Sequence, residues 1–152
     1  MRIILALLAM LSCAQALAQT DTTALPDVVI TATRIPIPTD HAPAGTTVVT
    51  RQDIADRGYN SLADALSDVT GLRVSQSGSL GGQTSIFIRG TNSNHVLVLR
   101  DGLPIADPSE PSDAYNFGVD TLSDIDRIEV VRGPMAAVYG SGAIGGVINL
   151  IS

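Results

Sequence analysis

The stretch SIFIRGTN, residues 85–92, ends a short apolar run in an arginine followed by a glycine, and RIEVVRGP, residues 127–134, ends a second run in the same way. The glycine lets the main chain turn, and the arginine stays charged at any physiological pH. We therefore expect two short strands, with Arg89 and Arg132 at the rim of a sheet. A glycine-rich segment, residues 140–146, follows the second run.

The remaining pattern predicts one small α+β domain, a mixed β-sheet with short helices and long loops, that begins near Gly45. Thr50 with Asp53 and Ser61 with Asp64 resemble capping boxes and predict two short helices. Further helical turns are predicted at 120–126 and 134–139, and strands at 46–49, 72–74, 84–88, 95–99, 127–131 and 146–151. The loops at 75–83 and 104–116 lack periodicity, as functional surface loops often do.

The composition argues against nucleic-acid binding. The chain of 152 residues has nine Lys+Arg against fifteen Asp+Glu, a formal net charge of −6. Phosphate contacts need concentrated Lys and Arg, and no segment here supplies a basic cluster.

Residues 1–18 have the pattern of a secretory signal peptide. Arg2 precedes an apolar run too short to span a bilayer, and an A-x-A site at 16–18 predicts a mature chain that begins at Gln19. A lipoprotein signal at Cys13 is the alternative. Cleavage after residue 18 removes Cys13, the single cysteine of the sequence, so we expect no disulfide in the mature protein.

A β-branched segment, DVVITAT at residues 27–33, lies within a predicted flexible leader, residues 19–44. Val, Ile and Thr favour strands, whereas the prolines at 26, 36 and 38 cannot donate to a β-ladder and separate the segment from its neighbours. Two interpretations stay open at this point. The segment is either the first strand of the domain's own sheet or an exposed strand that adds to the sheet edge of a partner.

No enzymatic site can be assembled, and no cofactor is expected. Residues 140–145 match G-x-G-x-x-G, but the strand, helix and distant acid that a dinucleotide site requires are not in place. The hypothesis of a nucleotide-binding enzyme therefore rests on this match alone. The acids Asp107, Glu110 and Asp113 share one loop and are candidates for a calcium site, with solvated surface acids as the alternative.

Together these segments resemble the plug domain of TonB-dependent outer-membrane receptors, most closely the cobalamin-receptor type. The resemblance runs from residue 27 to the end of the chain. It rests on residues 27–32 as a TonB box, TTVVTRQDI at 46–54, SIFIRGTN at 85–92, the run at 95–99 with the Asp101-Gly102 turn, RGP at 132–134 and the segment 138–151.

The resemblance implies a role in nutrient import. The plug would fill a β-barrel of about 22 strands, and the C-terminal domain of TonB would pair with the box, pull on it and release cobalamin or a ferric siderophore inward. Arg89 and Arg132 would form a latch with glutamates of the barrel. The box would consist of Asp27, Val28, Val29, Ile30, Thr31, Ala32 and Thr33. Ligand-binding loops would contribute Ser77, Ser79, Leu80, Gln83, Asp107, Tyr115 and Asn116.

The chain departs from this family in length. A barrel of about 22 strands needs more than about 200 residues, so we expect a plug domain at 45–152 without its barrel. The loop at 103–116 is also more acidic and richer in proline than we expect of a cobalamin receptor. The implied location is the outer membrane, or the periplasm for a chain without a barrel. A free periplasmic module that binds TonB or a ligand without transport is the alternative function.

Overall fold

The computed structural model describes residues 29–79, 81–110 and 112–152. The predicted signal peptide, the first two box residues (Asp27 and Val28) and the loop residue Leu80 lie outside the described residues. Within those ranges, no helix has both the length and the apolar character needed to cross a membrane.

The described chain forms short strands and short helices in an irregular order. The strands are β1 (Val29–Ile30), β2 (Ile37–Pro38), β3 (Thr46–Thr50), β4 (Leu72–Gln76), β5 (Thr84–Ile88), β6 (Val96–Arg100), β7 (Leu103–Ile105), β8 (Arg127–Arg132) and β9 (Gly146–Ile151). The helices are α1 (Arg51–Arg57), α2 (Leu62–Ser67) and α3 (Ala136–Tyr139). Single 3-10 turns lie at Thr39–His41, Ser93–His95 and Ser141–Ala143.

A five-stranded mixed sheet forms the centre of the fold, with the spatial order β3-β8-β9-β6-β7. The pairing of β6 with β9 is parallel, and the other three pairings are antiparallel. The central strands β8 and β9 are buried along most of their length, as expected of strands covered on both faces. The predicted α+β fold with a small mixed sheet is confirmed.

The helices α1 and α2 and the β4–β5 hairpin cover one face of this sheet. Both predicted capping boxes are present, and α1 ends at Gly58 in the left-handed conformation that glycine favours. The apolar side of α2 packs here, and the main core includes Leu62, Leu66, Ile86, Ile88, Ile128, Val130, Ile148 and Leu150.

The N-terminal segment and the segment that contains α3 cover the opposite face. Strands β1 and β2 pair with each other in a small antiparallel ladder, separate from the main sheet. A second core joins Ile30 and Ala32 to Val131, Val147 and Leu99. The sheet is therefore the middle layer of the domain, and its β8 strand contributes side chains to both cores.

The helix predicted at 120–126 is wrong, because these residues form turns instead. Leu122 and Ile125 are buried as a helical pattern would require, and one turn-like bond joins Ile125 N to the Leu122 carbonyl. The next amide, that of Asp126, instead donates to the carbonyl of Ile151 in β9 at 2.7 Å. The chain therefore bonds to β9 at Asp126, just before β8 begins, and does not form a second helical turn.

The loop predicted from residue 104 onward begins too early, because β7 continues the sheet through Pro104. Asp101 and Gly102 form the predicted turn with positive φ angles of 50° and 81°, and β7 then pairs with β6. A proline is tolerated there because β7 is an edge strand whose outer side needs no ladder bond.

Candidate functional site

The β-branched segment folds back as a hairpin rather than lying free. Val29 and Ile30 pair with Pro38 and Ile37, and the Arg34 amide closes a turn on the Thr31 carbonyl at 3.1 Å. Ile30 is fully buried. Neither interpretation from the sequence fits the described part of the segment, residues 29–33, since its strand is separate from the main sheet and Ile30 and Ala32 are buried. Pro38 takes part in the ladder, so the prolines that follow the segment do not isolate it.

One carboxylate holds this hairpin against the sheet. Glu129 Oε2 accepts from the main-chain amides of Thr31 and Ala32, each at 2.8 Å, and from the Thr31 hydroxyl at 3.0 Å. Its other oxygen, Oε1, accepts from Nε of Arg127 at 2.9 Å. A buried carboxylate needs such partners, because an isolated buried charge is very costly.

Asn149 extends the polar anchor across the sheet. It lies opposite Glu129 in the β8–β9 pairing, donates to the Thr31 hydroxyl at 3.0 Å and accepts from the Gly102 amide at 3.1 Å. Both side chains are fully buried. This pair was not predicted, although an acid within the apolar run IEVV is a signal that the strand meets a polar partner.

The two predicted rim arginines come together beside Gly45, but they differ in their contacts. Nε of Arg132 donates to the Gly45 carbonyl at 2.8 Å and Nη2 donates to the Thr47 hydroxyl at 2.9 Å. Nη1 donates to the Thr70 carbonyl. The Arg132 guanidinium is thus occupied within the domain.

Arg89 is exposed, and among the described residues it forms no ion pair. Its guanidinium approaches Gly45 and Gly133, and with Arg73 and Phe87 it lines an open groove of about 380 Å³. Its φ of 50° is in the left-handed region, so the main chain turns at this arginine as well as at Gly90. At this rim, Arg132 is therefore hydrogen-bonded within the domain, whereas Arg89 has no ion-pair partner among the described residues.

The two predicted ligand loops pack against each other. The Thr84 amide donates to Oδ1 of Asn116 at 3.0 Å, and the Phe117 amide donates to the Thr84 carbonyl at 3.0 Å. Gly118 lies against the carbonyl of Gly82, at a distance that leaves no room for a Cβ atom. The segments 77–83 and 115–118 consequently form one surface.

Within this surface, the predicted residues divide into internal and exposed groups. The Tyr115 hydroxyl donates to Asp120 at 2.5 Å, and burial together with this hydrogen bond raises the pKa of Tyr115 far above its ordinary value. Asn116 accepts from the amides of Thr84 and Gly118. Asp107, which lies outside this surface, accepts from Ser109. The side chains of Ser77, Ser79 and Gln83 are exposed.

The structure does not assemble the other candidate sites. Asp107, Glu110 and Asp113 form no cluster able to hold a metal ion, and the described part of the chain contains no such group of three. Residues 140–145, which match G-x-G-x-x-G, form a packed turn. The Met135 amide donates to the carbonyl of Ala143, and the Gly145 amide donates to the carbonyl of His95. This turn packs onto the sheet through the buried Ala143.

Comparison with known proteins identifies one family. Residues 38–147 match the model of the TonB-dependent receptor plug domain. The chain is similar to the siderophore receptor PirA of Acinetobacter baumannii, with 32% identity over 72% of this chain and 17% of that one, at a TM-score of 0.56. It is similar to a double mutant of the ferric enterobactin receptor PfeA of Pseudomonas aeruginosa, with 34% identity over 82% and 19% and a TM-score of 0.58.

A third similar structure is the outer-membrane ferripyoverdine receptor of Pseudomonas aeruginosa bound to ferripyoverdine. It is 28% identical over 82% of this chain and 16% of that one, at a TM-score of 0.64. This chain spans less than a fifth of the length of each of the three receptors.

Proposed function

Because this chain belongs to the family of TonB-dependent receptor plug domains, we propose that it gates an outer-membrane receptor that imports a ferric siderophore. The observation that carries the proposal is the family match over residues 38–147. The three similar receptors named above are siderophore receptors, which favours an iron-siderophore cargo over cobalamin.

The proposed drive is a pull by TonB on residues 27–33. Their β-branched composition suits strand addition to the TonB C-terminal domain. The described part of the segment is anchored to β8 through Glu129, so a pull on the box acts on a central strand of the sheet. At the end of that strand, Arg132 contacts the Gly45, Thr47 and Thr70 segments. The pull would therefore be transmitted from the box into the middle of the plug.

Arg89 is the proposed contact with a surrounding barrel. An unpaired guanidinium at the rim of the plug would favour a carboxylate on the barrel wall, and burial there would make the pair costly to break one partner at a time. Arg132 supports the same rim from inside the plug, because its guanidinium already donates hydrogen bonds to other plug residues. The latch was expected of both arginines. We propose instead that Arg89 contacts the barrel and that Arg132 holds this rim of the plug in place.

The exposed loop surface at 77–83 is the proposed ligand face. Its exposed hydroxyl and amide side chains at Ser77, Ser79 and Gln83 can hydrogen-bond a polar chelate. Asn116 and Phe117 hold the end of this loop in place, because both form hydrogen bonds with Thr84. A ligand that displaces this loop would reach β5 directly, because Thr84 is the first residue of that strand.

Deletion of residues 28–32 in the receptor tests the proposal. We expect uptake of the ferric siderophore to be lost while binding at the cell surface is retained, because the box acts after binding. A deletion of equal length at residues 20–24 is the control and should leave both unchanged. Retained uptake without residues 28–32 would contradict the assignment of the TonB box, and uptake of cobalamin instead would contradict the assigned cargo.

A further inference from the structure

Two arginines without an internal partner line the same groove. Most arginines of the described residues are bound by a carboxylate, by main-chain and hydroxyl oxygens or by an aromatic ring: Arg34, Arg51, Arg57, Arg100, Arg127 and Arg132. Within the same ranges, the side chains of Arg73 and Arg89 have none of these contacts, and both are exposed. Both line the open groove of about 380 Å³, together with Phe87. Among the described residues, the arginine charge that is left unpaired is therefore gathered in this groove.

The register of the β4–β5 hairpin makes these two arginines near neighbours. Arg73 pairs with Phe87, and the Arg89 amide donates to the Gly71 carbonyl at 3.1 Å, which extends the ladder by one step beyond β5. Arg73 and Arg89 are therefore diagonal neighbours across the hairpin, a relationship in which Cα atoms lie about 7–8 Å apart. Like charges this close repel each other, so an anion bound between them is favoured.

The lining of the groove indicates which anions fit. A guanidinium presents a planar fork of N–H donors that matches a carboxylate. The half-buried ring of Phe87 adds an apolar contact, which suits an organic skeleton better than an inorganic ion. The Arg89 guanidinium extends toward Gly45, whereas Arg73 lies on β4, so a ligand that meets both arginines needs carboxylates at two points.

We propose that this groove binds a polycarboxylate and is a second binding position for the imported ferric siderophore, after the loop at 77–83. The role in import rests on the proposed function. The exposed side of the hairpin links the two places, since Ser75 and Ser85 pair between the loop and Arg73. At about 3.3 Å per residue, the stretch from Ser77 back to Arg73 spans about 13 Å.

Arg73 is the residue that tests the groove, because Arg89 is also the proposed barrel contact. The full chain is titrated with succinate, a small dicarboxylate, and the Nε–H signals of its arginines are followed by nuclear magnetic resonance. We expect the signals of Arg73 and Arg89 to shift together along one binding curve. Arg73→Gln should weaken succinate binding by about twofold to fivefold, the range of one exposed ion pair. Arg73→Lys, which keeps the charge, should weaken it less.

Two controls define the chemistry of the site. Arg51→Gln removes the same charge from an exposed position whose arginine is paired with Asp126, and it should leave succinate affinity unchanged. Sulfate carries the same charge as succinate and should bind more weakly, because it has no carbon skeleton for Phe87 and cannot span the groove. Equal weakening in Arg51→Gln and Arg73→Gln would overturn the site, and sulfate binding as tight as that of succinate would overturn its selectivity for carboxylates.

The role in import is tested separately in the receptor. Arg73→Gln should leave binding of the ferric siderophore at the cell surface unchanged and slow its uptake by about twofold to fivefold. Unchanged uptake, or an equal slowing in Arg51→Gln, would overturn the second binding position. A native receptor that imports no ferric siderophore would contradict the proposed function instead, and the binding of succinate by the groove would still stand.

Discussion

The main-chain amide and the Nε of Arg132 both donate to the carbonyl oxygen of Gly45, at 3.1 and 2.8 Å. One carbonyl thus joins the end of β8 to the residue just before β3. Gly45 has a φ of 100°, in the region that glycine favours, and its carbonyl can turn toward the arginine for that reason. The pair Arg132-Gly133 therefore supports the rim of the sheet from within the domain.

The two arginines should differ in their effect on the free energy of unfolding. Arg132→Ala removes hydrogen bonds from a charged donor and should lower it by about 1.5–3 kcal/mol. Arg89→Ala removes an exposed, unpaired side chain and should change it by less than about 0.5 kcal/mol. Denaturant unfolding of both variants measures the difference, and equal losses would contradict the division of roles.

Gly118→Ala should destabilise the surface that the segments 77–83 and 115–118 form. A Cβ atom at this position would overlap the Gly82 carbonyl and lie 2.8 Å from the Thr84 hydroxyl oxygen. Such overpacking typically costs about 1–3 kcal/mol, which thermal unfolding can detect. Gly142→Ala is the control, because a Cβ atom there meets nothing within 4 Å; a similar loss in both variants would show that the close approach of the loops is not responsible.

Substitutions at exposed and at internal residues around the proposed ligand face should change different quantities. The first should change ligand affinity, and the second should change the unfolding temperature. Gln83→Ala should weaken binding of the ferric siderophore and leave the unfolding temperature unchanged. Asn116→Ala should lower the unfolding temperature, because its side chain accepts from the Thr84 and Gly118 amides. If Gln83→Ala left ligand affinity unchanged, the loop at 77–83 would not be the ligand face.

The first capping box predicts a pH-dependent contribution to stability. Hydrogen bonds from the Thr50 side chain and amide lower the pKa of Asp53. Its contribution is then present above the ordinary pKa of aspartate and is lost as the pH falls through the lowered value. Asp53→Asn should be less stable than the native chain at neutral pH, by about 1 kcal/mol or less because water screens this partly exposed group.

Chemical unfolding of the two chains at a series of pH values checks this expectation. The difference between them should shrink toward zero in acid, where Asp53 is protonated. A difference that stayed constant down to strongly acidic pH would assign the loss to helix propensity rather than to the charge.

Local chemistry made much of the fold predictable. The β-branched runs of β6, β8 and β9 and the two capping boxes depend on residues close in sequence, and both kinds of prediction are confirmed. The helix at 120–126 was wrong because its last amide bonds to Ile151, a contact that no local pattern records. Strand β7 was missed because Pro104 argues against a strand everywhere except at an edge.

The candidate site was less accessible to sequence reasoning. The segment 27–33 was recognised from its composition, but its docking depends on Glu129, about a hundred residues away, and on the Asn149 opposite it. The two Arg-Gly pairs predicted Arg89 and Arg132 at a sheet rim, and the family resemblance implied that both form a latch. Only their tertiary contacts separate them, because Thr47, Thr70 and Gly45 converge on Arg132 alone.

We expect import through the proposed receptor to depend on TonB. Uptake of a radiolabelled ferric siderophore, compared between cells with and without functional TonB, tests it most directly. Both cells should bind the siderophore through this receptor, and uptake should occur only with TonB present. Equal uptake in both cells would contradict it.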